Sequence, residues 1–118
     1  MFHLKAIELI SKNLRHSVKE AKAGKPDSGR EGRALGRYIA GMGFSNVGLG
    51  IDHAMAHTLS THYDTPHGVA CAMLLLIAME FNKPVAAKRL ADVAVAMGVD
   101  TEGMDTESAA DAAIEAAR

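Results

Sequence analysis

The chain has 118 residues, 48% of them apolar, enough for one domain with a modest core. Its 13 basic and 14 acidic residues give a formal net charge of -1, which offers no electrostatic footprint for nucleic acid or for an anionic membrane. The one cysteine, Cys71, excludes an intrachain disulfide, and the N-terminus lacks the pattern of a signal peptide, so a cytoplasmic protein is expected.

Helical periodicity runs from end to end. Ile7, Ile10, Leu14, Val18 and Ala21 recur at three- and four-residue spacing, with lysines mostly off that stripe, which predicts a first amphipathic helix. It stops at the turn cluster Gly24-Lys25-Pro26-Asp27-Ser28-Gly29, where Ser28 or Gly29 would cap a second helix through Arg30, Leu35, Tyr38 and Ile39. Gly41 to Gly50 is rich in small residues that permit close approach of a backbone or ligand, with Ser45 and Asn46 as expected caps for a third helix. A fourth helix is predicted from about Gly68 to Phe81. Its apolar run, Val69 to Met79, falls short of the ~20 residues that span a bilayer and reads as a buried helix. Asn82-Lys83-Pro84 is expected to break it before a fifth helix, Val85 to Met97, ending at Gly98. Thr106-Glu107-Ser108 opens an alanine-rich helix through Ile114. The reading is an all-α chain of five or six helices. Met1-Phe2-His3-Leu4-Lys5 enters its helix without a cap, and the last helix has no stop signal, so a segment of something longer is expected.

The chemistry is concentrated between Gly48 and Gly68. His53 and His57, four apart, project from one face of a helix and can address the same small volume. His67 follows the helix-hostile Asp64-Thr65-Pro66, so it belongs to a turn or to the first position of the next helix, where a chain reversal would return it towards the first two. Two ligands on a helix and one beyond a turn is a common way to build a metal site. His62 reads as a solvated loop residue, His3 and His16 as helix-surface residues, and Met42, Met55, Met73 and Met79 as core filler. Cys71 reads as a buried small residue rather than a nucleophile.

The run Gly41-Met42-Gly43-Phe44-Ser45-Asn46-Val47-Gly48-Leu49-Gly50, followed by His53, Ala56-His57 and Asp64-Thr65-Pro66-His67-Gly68-Val69-Ala70, closely resembles the second signature of the iron-containing (group III) alcohol dehydrogenases. The likeness extends over essentially the whole chain. It implies a helical bundle corresponding to part of that family's C-terminal domain, with residues 1–118 as a single helical metal-binding domain and the nucleotide-binding domain absent. It implies Fe²⁺ as the metal and NAD as the cofactor of the parent enzyme, the dinucleotide being bound mainly by the absent domain. By motif match His53 and His67 correspond to two metal ligands, the Asp and His that complete the set lying upstream of this sequence. His57 corresponds to the catalytic histidine that relays the alcohol proton, and Phe44 to an aromatic of the substrate channel. No residue here matches a cofactor-binding position. Cys71 stands where relatives often carry Asn, and Thr58 and Ser60 stand where Pro and Gly are often found. The implied substrates are small alcohols and aldehydes of the propane-1,2-diol and lactaldehyde type, with a homodimer open for the parent. Ligand identity alone fits Zn²⁺ as well as Fe²⁺, and the iron assignment comes from the resemblance. The expectation is therefore a segment of an iron- and NAD-dependent alcohol dehydrogenase, inactive in isolation. The alternative is a standalone histidine-based metal-binding helical module without redox activity.

Overall fold

A computed structural model describes residues 2–25 and 29–118, apart from the Val47 side chain. The chain is all-α: α1 (Phe2–Lys22), α2 (Arg30–Val47), α3 (Ile51–Tyr63), α4 (His67–Ala96) and α5 (Thr106–Ala117), with no strand among the described residues. Helix α1 packs on α2, α3 on α4 and α4 on α5, while a smaller α1–α4 contact joins the two halves. Ser28, one of the two expected caps of α2, lies outside the described residues. Gly29 occupies that N-cap position and makes no side-chain cap bond.

Two boundaries differ from those predicted. Ser45 and Asn46 do not cap α3: α2 runs on through them to Val47, and Asn46 Nδ2 donates to the Met42 carbonyl at 2.6 Å. The break comes at Gly48, whose φ of 81° is left-handed and suits a residue without Cβ. Asn82-Lys83-Pro84 does not end α4 either, and the predicted fourth and fifth helices are one of 30 residues. Proline at 84 withdraws a helix donor and crowds the preceding turn, a cost of about 3 kcal/mol in an isolated helix. Helix α5 bridges the defect. Met79, before the proline, and Ala87, Leu90, Val93 and Ala94, after it, pack in one cluster with Ala110 and Ala113 of α5. Lys83 Nζ adds ion pairs to Asp111 at 2.6 Å and Glu107 at 3.2 Å.

Alanine dominates the fully buried apolar positions, with Ala56, Ala70, Ala94, Ala110 and Ala113 all at 0% exposure. Small residues let helix backbones approach closely but remove little apolar area each. Apart from Leu90 and Ile114, the large apolar residues described stay at least partly exposed. Val69, Met73, Leu75 and Ile77 are exposed, so the stretch read as a buried helix is not buried, and Met73 is not core filler. By length and composition α4 could cross a membrane, with 11% of its most apolar part buried, although the apolar run alone is shorter than a span. The Cα radius of gyration, 15.1 Å, exceeds the about 13.5 Å expected for a compact domain of this length. The five helices are therefore splayed.

Helix α5 has a cap that the sequence reading did not identify. Asp105, in extended conformation, accepts a hydrogen bond from the Ser108 backbone N–H at 2.7 Å. That bond holds its carboxyl below the usual aspartate value, so the cap's contribution to stability is present above about pH 4 and is lost as pH falls through the depressed folded value. Asp105→Ala is expected to fray the first turn of α5 at neutral pH. Faster amide exchange at Ser108 would show it, and an unchanged rate would remove the cap from the account.

Candidate metal centre

The junction of α3 and α4 is a tight reversal. Helix α3 ends at Asp64, a non-glycine residue at φ 52°, a conformation its short polar side chain tolerates. Pro66 follows with φ -53° and ψ 133°, and its carbonyl accepts from the N–H groups of Val69 and Ala70, both at 3.0 Å. His67 thus opens α4. The turn folds it back beside the helix that carries His53 and His57.

The three imidazoles meet. Ring centroids lie 5.5 Å apart for His53 and His67, 5.4 Å for His57 and His67, and 6.3 Å for His53 and His57. Helix α3 packs on α4, and Ala56 on the one and Ala70 on the other are fully buried. Thr58 and Ser60 lie inside α3, which runs unbroken to Tyr63, and Thr58 Oγ1 bonds back to the Ala54 carbonyl at 3.1 Å. His53 is half-buried, while His57 and His67 are exposed.

A fourth side chain joins them. Cys71, one turn beyond His67 on α4, places Sγ 3.7 Å from His67 Nε2 and 4.0 Å from Nδ1. One donor atom from each of His53, His67 and Cys71 lies within 4.8 Å of the others. The sequence reading made Cys71 a buried small residue, whereas it is half-buried and faces the histidines. The signal was the four-residue spacing from His67, the same spacing that paired His53 with His57. Burial pushes the Cys71 thiol above its ordinary value, and the charge of Asp52 adds to that. Asp52 Oδ1 is itself buried without a hydrogen-bond partner.

His53 and His67 also line an open cleft of about 1160 Å³ at the side of α2, together with Phe44, Tyr38 and Asn46. Phe44, 43% exposed, therefore shares a wall with two imidazoles. His57 does not line that cleft. His62 is exposed as expected, though within α3 rather than a loop. His3 is exposed but lies against α2, where a Cβ at Gly43 would stand 2.8 Å from its Nε2.

Three imidazoles clustered at a helix junction make a candidate metal centre in an all-α chain, and sequence comparison narrows the class. Residues 1–118 match the Fe-containing alcohol dehydrogenase family, C-terminal, and the chain belongs to that family. It is 54% identical over 114 residues to lactaldehyde reductase of Escherichia coli (strain K12), covering 97% of this chain and 28% of that protein. It is 47% identical over 115 residues to methanol:N,N-dimethyl-4-nitrosoaniline oxidoreductase of Amycolatopsis methanolica, covering 98% of this chain and 26% of that one. Among solved structures, a 1,3-propanediol oxidoreductase superposes with a TM-score of 0.91 at 42% identity, covering 97% of this chain and 29% of that one. The chain thus spans little more than a quarter of the length of these relatives.

Proposed function

We propose that this chain is the metal-holding helical part of an iron-dependent alcohol dehydrogenase that interconverts small alcohols and aldehydes with NAD. The observation that carries the reading is the meeting of His53, His57 and His67 at the α3–α4 turn in a member of this family. Imidazole nitrogens suit Fe²⁺, and the approach of His53 to His67 is close enough for one ion to bind both, so the residues present fit the metal. A bound divalent ion supplies Lewis acidity to the substrate oxygen. His53 and His67 hold it, and Phe44 provides an apolar wall that shapes the approach of a short carbon chain and excludes water. His57, whose ring touches the pair without lining the cleft, is free to carry the alcohol proton, because a neutral imidazole accepts at one nitrogen near neutrality.

The dinucleotide is held outside these residues. NAD is the acceptor that the resemblance implies, while the name of the Amycolatopsis relative gives a nitrosoaniline as its partner in oxidation, so the acceptor is chosen elsewhere in the whole enzyme. The splayed helices and the exposed apolar side of α4 support a reading in which further segments pack here. They weaken the alternative of a standalone metal-binding module, which would have to keep that surface in water.

The test is a chimera in which these residues replace the matching segment of the E. coli lactaldehyde reductase. It is expected to oxidise propane-1,2-diol with NAD⁺, to lose activity on chelation and to regain it with Fe²⁺. The 118 residues alone are expected to show no turnover, lacking further ligands and a positioned acceptor. A folded, metal-loaded chimera without activity would overturn the proposal.

A further inference from the structure

Four residues separate His67 and Cys71 at the start of α4, so both project from one side of the helix towards His53. Two donors on one tetrahedral ion, with bonds of about 2.1 Å to nitrogen and 2.3 Å to sulfur, stand about 3.6 Å apart. The Sγ to Nε2 distance of 3.7 Å already has that length, and His53 brings a donor atom to within 4.8 Å of both. His57 is not among the donors that meet at this spacing.

We infer that Cys71 is a third metal ligand supplied by this chain beside His53 and His67. The inference rests on the reading of His53 and His67 as ligands and adds the thiolate to it. When the ion binds, a metal–sulfur bond forms as the S–H bond breaks, and one proton leaves to water.

Cobalt(II) provides the test, because it takes tetrahedral zinc sites and shows thiolate ligation as a near-ultraviolet charge-transfer band. Cys71 is the only cysteine, so such a band in the 118-residue chain has one source. Titration with Co²⁺ under reducing, oxygen-free conditions is expected to produce the band, and Cys71→Ser to abolish it without loss of far-ultraviolet helicity. Zinc affinity should fall at least about tenfold in Cys71→Ser, the loss that even an outer-shell change can produce. Cobalt binding without the band, or a band that survives Cys71→Ser, would overturn the thiolate ligand while leaving His53 and His67 in place. Absence of binding would also overturn it, and the chimera's activity then decides the dehydrogenase reading separately.

Discussion

Replacing His67 by Ala in the chimeric enzyme is expected to reduce kcat/KM by roughly a thousandfold, the equivalent of the several kcal/mol that metal Lewis acidity contributes. Bound metal should fall with it. His53→Ala should behave alike, since His53 comes from α3 and His67 from α4 and the two meet at the junction. His57→Ala should separate the two roles: metal content stays, while kcat drops by about a hundredfold, the lower end of what general acid–base catalysis contributes. Metal analysis of each purified variant beside its kinetics checks this. Full metal occupancy in His67→Ala, or lost metal in His57→Ala, would reverse the assignments.

The site was legible because its information is local. Four-residue spacing fixes the relation of His53 to His57, and Asp64-Thr65-Pro66 can hardly continue a helix, so a reversal that returns His67 was the economical solution. Cys71 obeys the same spacing rule from His67. A solitary cysteine in an apolar run reads as a small core residue until the position of α3 above it is known, which is tertiary information.

The helices were legible to the same degree, and the misreadings have one cause. Pro84 carries a strong local penalty, yet the surface of α5 that spans Met79 to Ala94 is assembled by residues more than twenty positions downstream. Exposure along Val69 to Ile77 was misread for the opposite reason. Apolar character shows that a residue favours burial, not that a partner surface is present among these residues.

Glycines inside α2 give a second large effect, because two of them in one helix should respond in opposite directions. A Cβ at Gly36, which is buried against α1, would stand 2.8 Å from Ile10 Cγ1, 3.2 Å from Leu9 Cβ and 3.3 Å from the Ala6 carbonyl oxygen. None of these is the free end of a flexible chain, so α1 itself must move. Overpacking of this kind costs about 1–3 kcal/mol, against about 1 kcal/mol gained from helix propensity. Gly36→Ala should therefore destabilise the chain by about 1 kcal/mol, and Gly36→Leu should pry α1 from α2. A Cβ at Gly41 meets nothing within 4 Å. Gly41→Ala should consequently keep the propensity gain and stabilise by about 0.5–1 kcal/mol. In thermal unfolding followed by circular dichroism, 1 kcal/mol corresponds to a shift of about 4–8 °C in Tm for a domain near this size. The two alanine variants should shift Tm in opposite directions, and a stabilising Gly36→Ala would mean that α1 and α2 do not pack as closely as their backbones indicate.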